Sequence, residues 1–518
     1  MIQNRTWCKD LSSLLDGSEA AIYGWVQSSD ELVISDHTGR VTVVGIDSAS
    51  LKTGDLVQVT GVKNSVGLRA GVVQLIFRPT ELATDTAYHE GSNELISKSL
   101  WEKFNFAAHH VRNMLRSRDF IEIKTPLLWS SVQEYAEQEM VVTTHPAEDQ
   151  SGFYLLQSPL MPSLLAAIRG LDRTFQFAHC VRREDQEAPR NALEFTQLMF
   201  TLTSCSFQDV QSLAETLIAG LTYQLTGIEV ETPFRRMTYD EALLNYGHDS
   251  PDIRYPILTP WLPGEWYGLS NKARAIVIPK GLSSTMIDSI AEVIRRHWAN
   301  DFWMATFDQH GYTHVSGGLR YRGNLWPPQT PAFRKITQGV VFVLPNGPYV
   351  QDAVNILVNQ LGHLLELKTR AYAFVWVERF PFLHDPEHPF LSQPIHRSRS
   401  VFGKLEKFND GSLRVVGADL VLNGTEVATG GEKESNVDQL VKNLCVAGMT
   451  NLNQYRYYLE ALASGAPPLL TLAIGWDRLM WLLLNLSSVH EAMLFPKSGT
   501  GVCRTSGAPV AFANEQRY

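Results

Sequence analysis

The sequence predicts an α+β chain with a small N-terminal β-barrel, a body built on antiparallel strands, and an α+β domain inserted into that body. Three observations carry the prediction. Short β-rich runs with turn signals fill the stretch from Ala20 to Phe77. An apolar-faced helix then leads to two apolar strands joined by a charged loop, Cys180 to Gln197. Residues 251–370 carry a strand and helix pattern of their own. A chain of 518 residues exceeds what one hydrophobic core serves. The boundaries read as a barrel over 1–83, a polar linker over 84–98, the body over 99–250 and 371–518, and the insert over 251–370.

The barrel rests on five runs: "AAIYGWV", "ELVISD", "RVTVVGI", "DLVQVTGV" and "VVQLIF", with a "DHTG" turn at Asp36 to Gly39. Five strands in so short a space suit an OB-like barrel or another five-stranded β-module. In "LWEKFNFAAHHVRNMLRSRDF" the residues Leu100, Phe104, Ala107, Val111, Met114 and Leu115 share one helical face, which makes a core-facing helix. "IEIKTPLL" follows as a strand ended by Pro126. "LAAIRGLDRTFQFAHCVRRED" reads as helix, turn and strand, and "LEFTQLMF" as the returning strand of an antiparallel hairpin. In the last part, "AFVWV" and "RVVGADLVLNG" read as strands, and helices are expected around Asn451 to Ala463 and Trp476 to Leu486.

Composition narrows the function class. The chain is 44% hydrophobic and 19% charged, with a formal charge of −9, which excludes a generally basic nucleic-acid coat while leaving room for a local groove. Five cysteines without a CxxC pair fit reduced thiols. The opening residues lack the pattern of a signal peptide. The stretch nearest to a membrane span, Thr471 to Leu486, is broken by Gly475, Asp477 and Arg478. A soluble, cytoplasmic protein is expected.

Three polar constellations could carry chemistry. The loop "CVRREDQEAPRNALEFTQ" mixes Arg182, Arg183, Glu184, Asp185, Glu187 and Arg190 between two apolar strands, a composition that suits a phosphate chain with its metal ions or a solvated loop laced with ion pairs. In "GADLVLNGTEVATGG", Asp419 and Glu426 lie an odd number of residues apart; a turn at Asn423 and Gly424 would bring them to one face, where two carboxylates suit Mg2+, and the other reading is turn and cap residues. Asp477 and Arg478 sit side by side in an apolar run. Either they pair with each other or Arg478 meets an anion from outside.

Taken together and in this order, these elements resemble motif 2, the acidic strand and motif 3 of class II aminoacyl-tRNA synthetases, in particular the bacterial-type aspartyl-tRNA synthetases or a divergent paralogue of them. "IEIKTPLL" resembles motif 1, whose proline matches Pro126. "CVRREDQEAPRNALEFTQ" is similar to "CFRDEDxRADRxPEFTQ", and "GAPPLLTLAIGWDRL" with "FPK" at Phe495 to Lys497 is similar to "GxPPHxGxAxGxDRL" with "FPK". "MTYDEALLNYGHDSPDIRYP" and "VIPKGLS" resemble the bacterial insertion domain. The resemblance implies a class II antiparallel-sheet catalytic domain in two parts, an anticodon-binding barrel, and a homodimer through motif 1. It implies ATP and Mg2+, with Arg182 and Arg478 as catalytic phosphate ligands and Glu184, Arg190, Phe195, Asp419 and Glu426 completing the ATP site. Asp419 and Glu426 would hold the Mg2+. Glu134, Gln157, Ser163, Gln197, His388 and Lys433 fall at amino-acid-site positions. No structural metal is assigned to His384 and His388, which flank Pro386.

This chain departs from the family pattern where the amino acid would sit. The family's "QSPQxFKQ" is "QSPLMPSL" here, so Leu160 replaces a glutamine and Ser163 a lysine. "GGGSIR" becomes "ATGGEK", which puts Lys433 where an arginine would grip a carboxylate, and a lysine lacks the fork. Met199 stands for an aspartate and Leu469 for a histidine, and Glu432 and Glu434 flank Lys433. The barrel carries "QSSDEL" in place of an arginine-rich turn, which weakens tRNA binding; Trp25 and Tyr23 are its stacking candidates. Activation of aspartate or a related acid followed by transfer to tRNA is the leading expectation. The alternatives are a paralogue that serves a non-tRNA acceptor and a non-catalytic binding protein.

Overall fold

The computed structural model describes residues 5–29, 31–36, 38–46, 48–78, 98–130, 140–143, 152–182, 190–263, 272–297, 302–308, 311–317, 338–345, 350–367, 370–383, 401–408, 411–449, 451–497, 501–503, 506 and 508. The chain divides into two compact units, the first made of Met1–Glu102 with Arg504–Tyr518 and the second of Lys103–Cys503.

In the first unit five strands close into a barrel in the order Glu19–Ser28, Val33–Asp36, Gly39–Val44, Leu68–Phe77 and Leu56–Lys63. Period-two alternation builds it: Ile22, Val26, Ile34, Val41, Val43, Val57 and Val59 point inward and form its core. Asp36 caps the tight turn that follows, its Oδ1 accepting from the amides of Thr38 (2.6 Å) and Gly39 (3.2 Å). Gly24 is required by packing, because a Cβ there would lie 2.4 Å from the Ser35 carbonyl oxygen.

An eight-stranded sheet forms the body of the second unit. Its order is Arg235–Thr238, Phe374–Glu378, Gly417–Leu422, Thr425–Lys433, Leu469–Gly475, Glu194–Thr203, Arg173–Val181 and Ile121–Glu122, antiparallel except for the pair at each edge. The motif-1-like strand is shorter than its sequence suggests. The Ile123 amide makes the last backbone bond, to the Phe175 carbonyl at 2.9 Å; beyond it the amide and hydroxyl of Thr125 both donate to Gln176 Oε1, and Pro126 offers no N–H to continue the ladder.

The helix Phe207–Thr226 covers one face of this sheet. Its buried Glu215 accepts from Trp376 Nε1 at 2.8 Å. On the other face the helix Leu160–Ile168 packs with Leu440, Leu444, Tyr458 and Leu462 over Met199 and Leu469. Between Pro251 and Arg370 the chain builds a separate antiparallel sheet in the order Trp261–Leu262, Ala273–Ile278, Gly339–Pro345, Trp303–Asp308 and Gly311–Gly317. The helices Ser284–His297 and Val350–Leu364 bury Ile290, Ile294, Leu357 and Leu361 against it. Among the described residues no helix is long and apolar enough to cross a membrane.

Candidate active site

Strand register alone assembles one face of the large sheet. In the strand Glu194–Thr203, Phe195, Gln197, Met199 and Thr201 alternate onto the same side. Pairing carries that side outward: Met199 stands opposite Ala473, Ala473 opposite Thr429, and Thr429 opposite Asp419. The next rows are Thr201, Thr471 and Gly431, then Thr203, Leu469 and Lys433. A cavity of about 430 Å3 lies over this face and is lined by Phe195, Gln197, Met199, Asp419, Thr471 and Lys433, among others.

Arg182 and Arg478 line the same cavity from different elements. The Arg182 guanidinium lies 5.3 Å from the centre of the Phe195 ring and donates from Nη2 to the Gln157 carbonyl at 3.3 Å. The strand Leu469–Gly475 runs directly into the helix Trp476–Leu483, which puts Arg478 in the helix's first turn. Its Nη1 donates to the backbone oxygen of Glu426 (2.8 Å) and its Nη2 to that of Arg190 (3.3 Å). Asp477 points elsewhere, its Oδ2 accepting from the Thr196 amide at 2.6 Å. The adjacent acid is therefore tied to the strand instead of to Arg478. Burial raises the Asp477 pKa to about 7. Gly475 has φ of −66°, ordinary backbone, and a Cβ on it would meet Arg478 Cβ at 3.5 Å; the turn does not demand glycine, but Gly475 lines the cavity.

The carboxylate pair reaches one face through a two-residue hairpin. Asn423 and Gly424 both have positive φ (52° and 85°), the conformation of a tight hairpin turn. Leu422 then faces Thr425 and Val421 faces Glu426. Asp419, two residues before Val421, shares the side of Glu426, and both line the cavity. Asn423 anchors the turn by accepting from the Ala373 amide (2.9 Å) and donating to the Ala371 carbonyl (3.2 Å). Two hard oxygen donors beside two guanidiniums suit Mg2+, which takes few protein ligands.

The inner end is less polar. Leu160 and Met199 form its wall, and Lys433, 7% exposed, brings an ammonium. Glu432, which also lines the cavity, accepts from Lys404 Nζ at 2.6 Å, and Glu434 accepts from the Asn436 amide, so each acid that flanks Lys433 in sequence has a hydrogen-bond partner of its own. Ser163, expected in the amino-acid site, does not line the cavity. It is 1% exposed and accepts from Gln176 Nε2 at 2.8 Å, because the helix that carries it packs flat on the sheet. Gln157 is buried beside that wall. Its Oε1 has no donor among the described residues, and the next residue, Ser158, lines the cavity and donates to Gln197 Oε1 at 3.3 Å.

Arg190 lines the cavity, whereas Glu134, Glu184 and His388 lie outside the described residues. Asp477 and Thr471 are cavity residues that sequence reasoning did not assign; the period-two alternation from Leu469 to Gly475 held the signal for Thr471. Cys180, on the strand beneath, has its thiol pKa pushed up to about 12 by burial, so it is no nucleophile at neutral pH.

Residues 85–499 match the family model described as tRNA synthetases class II (D, K and N). The chain is 30% identical over 438 residues to an aspartate–tRNA(Asp/Asn) ligase of Hydrogenobaculum sp., covering 78% of this chain and 73% of that protein. It is 26% identical over 581 residues to an aspartate–tRNA(Asp/Asn) ligase of Anoxybacillus flavithermus, covering 98% and 96%. Its fold is similar to that of the asparaginyl-tRNA synthetase of Pyrococcus horikoshii, solved with asparaginyl-adenylate, with a TM-score of 0.60 at 16% identity over 97% of this chain and 100% of that one.

Proposed function

The chain belongs to the class II tRNA synthetases of the D, K and N group, and on that premise we propose that it joins an amino acid to ATP as an aminoacyl-adenylate, releasing pyrophosphate, and transfers the aminoacyl group to tRNA. The observation that carries this reading is the convergence of Arg182, Arg478 and Phe195 with the carboxylates of Asp419 and Glu426 on one cavity. In this reading Phe195 stacks on adenine, and Arg182, just past the strand Arg173–Val181, and Arg478, in the first turn of the helix Trp476–Leu483, hold the triphosphate. The substrate carboxylate attacks the α-phosphorus in line and pyrophosphate leaves. The arginines are fixed in advance by backbone carbonyls, so they stabilise the charge that develops without reorganising. Asp419 and Glu426 would hold Mg2+, which when bound neutralises phosphate charge. No protein nucleophile is required.

On the amino-acid side, the orphaned Gln157 Oε1 is an acceptor suited to a substrate ammonium, and Gln197, Lys433 and the family positions Glu134 and His388 complete the proposed site for aspartate or a related acid. The first unit's barrel is proposed as an OB-type anticodon-binding domain. Trp25, 43% exposed, is its stacking platform, while the Arg5 guanidinium lies 3.9 Å from the Trp7 ring centre and 5.7 Å from that of Tyr23. The segment 251–370 is proposed as the insertion domain. A cytoplasmic homodimer joined through the Pro126 region completes the proposal.

The test is amino-acid-dependent exchange of pyrophosphate into ATP across a panel of amino acids, followed by charging of total tRNA. Exchange that is abolished by Arg182→Ala, together with charging, supports the proposal. Exchange without charging removes tRNA as the acceptor, and absence of exchange with every amino acid overturns adenylation.

A further inference from the structure

Arg274, on the strand Ala273–Ile278 of the separate sheet, is 0% exposed, and the adenylation chemistry does not use it. A guanidinium is tolerated at such depth only where acceptors meet it. Its Nη2 donates to the Tyr246 carbonyl and to Thr259 Oγ1 (3.4 Å), and its guanidinium lies 5.1 Å from the centre of the Trp261 ring. Tyr246 ends the helix Tyr239–Tyr246, where the last carbonyls lack helical donors and a cation is favoured. Thr259 Oγ1 donates to the same carbonyl at 2.6 Å, and Trp261 Nε1 donates to the Gly247 carbonyl at 3.3 Å. Three side chains from the segment 251–370 thus hold the two residues at which the chain leaves that helix. Gly247 has φ of 69°, and a Cβ on it would overlap Arg274 Nη1, so the turn and the guanidinium fit together only with glycine there.

The turn leads straight to the cavity, which Asp249 and Ser250 line together with Arg190 and Glu426. The Ser250 amide donates to His248 Nδ1 (3.3 Å) and its hydroxyl to Asp249 Oδ1 (3.1 Å), which ties the three residues together. His248 is near both arginines: burial, then the charges of Arg274 and Arg190, push its pKa down to about 3 against the pull of Asp249. Further on, Asp252 packs under the acidic hairpin, where a Cβ on Gly424 would lie 3.2 Å from Asp252 Cβ. Arg254 Nη2 holds Asp252 at 2.6 Å and also donates to Asn359 on the helix Val350–Leu364 at 2.8 Å.

Resting on the adenylation reading, we propose that Arg274 is a positioning residue for ATP: through the Tyr246 carbonyl it sets the wall of Asp249 and Ser250 beside Arg190 and the hairpin of Asp419 and Glu426. Arg274 does not line the cavity and acts only through that turn. The Arg190 carbonyl in turn accepts from Arg478 Nη2, so the wall adjoins the residues that fix the phosphate-binding arginine.

Pyrophosphate exchange with the full chain, at varied ATP and then at varied amino acid, compares the wild type with Arg274→Met, Arg274→Lys and Thr259→Val. Arg274→Met keeps the bulk and removes the donors; we expect its KM for ATP to rise about tenfold while its KM for the amino acid stays within about threefold. Arg274→Lys, which can still donate to Tyr246, should recover most of that loss. A merely loosened protein has fewer active molecules, so kcat falls and both KM values hold. That outcome, or an equal rise in both KM values, overturns the proposal. If Arg274→Met does not fold, Thr259→Val decides with the arginine in place: a KM raised for ATP alone supports the proposal, and an unchanged one overturns it. If no amino acid supports exchange, calorimetric titration of the wild type and Arg274→Met with ATP decides. Binding weakened about tenfold in the variant then keeps the positioning role while adenylation falls. Equal binding, or none in the wild type, overturns it.

Discussion

The Asp477 carboxylate accepts from the Thr196 amide at 2.6 Å, joining the first turn of a helix to a strand 281 residues earlier. Thr196 lies between Phe195 and Gln197, both of which line the cavity, so this bond sets the strand that presents them. Asp477→Ala should therefore raise the KM for ATP by about tenfold, the cost of one buried charge-assisted hydrogen bond, while Asp477→Asn, which still accepts, should cost less. Exchange kinetics at varied ATP check this.

The same bond predicts a pH signature. Burial raises the Asp477 pKa from its usual 3.8 to about 7, so the folded state keeps a proton that the unfolded state has lost. Its contribution to stability is full below about pH 4 and disappears as pH rises through about 7. Measured by denaturant unfolding, Asp477→Asn should gain stability relative to the wild type between about pH 5 and about pH 8. A constant difference across that range would contradict the raised pKa.

Arg478 is held by two backbone carbonyls, of Glu426 and Arg190, and this needs the planar fork of a guanidinium. Arg478→Lys should preserve the far-ultraviolet circular dichroism spectrum and reduce single-turnover adenylate formation by roughly a hundredfold, the scale of losing one preorganised donor. A change smaller than about threefold would show that charge alone suffices there.

Restoring the family's lysine at position 163 should not restore aspartate activation. Ser163 lies under Gln176, away from the cavity, so Ser163→Lys forces an ammonium into a packed layer and costs several kcal/mol. The expected result is a large fall in Tm with no gain in aspartate-dependent exchange. An unchanged Tm with new aspartate activity would mean that the side chain swings into the cavity.

In the first unit, Arg78 donates from Nε and Nη2 to the buried Asp55 (3.0 and 2.7 Å), and these bonds hold the Asp55 pKa below its usual value. The folded pKa is depressed, so the stabilisation is present above the unfolded pKa and fades as pH falls through the folded one. Asp55→Asn should destabilise the barrel by about 2 kcal/mol at neutral pH and flatten its acid limb. Hydrogen exchange of the barrel strands at several pH values reads both effects.

Local patterns were legible because they answer to local physics. The alternation in "AAIYGWV" appears as the strand Glu19–Ser28, and the helical face of Phe104, Ala107, Val111 and Leu115 is buried as its 3.6 period requires. The Asn423 and Gly424 turn could be anticipated from residue type alone, and it brings Asp419 and Glu426 to one side. The position of Ser163 could not be read in this way. A short apolar helix gives no sign of which flank faces a ligand until the sheet beneath it is in place.

Before any folding was considered, the linear string determined the period of each element, the tight turn between the acidic strands, and the motif spacing that identifies the family. Three-dimensional packing decided that Asp477 serves Thr196 and not Arg478, that Glu432 turns to Lys404, and that Met199 and Lys433 bound one inner pocket. The reason is register. Which residues stand opposite one another across Glu194–Thr203, Leu469–Gly475 and Thr425–Lys433 depends on pairing strands far apart in the chain, and a slip of one residue would turn every one of those side chains to the other face.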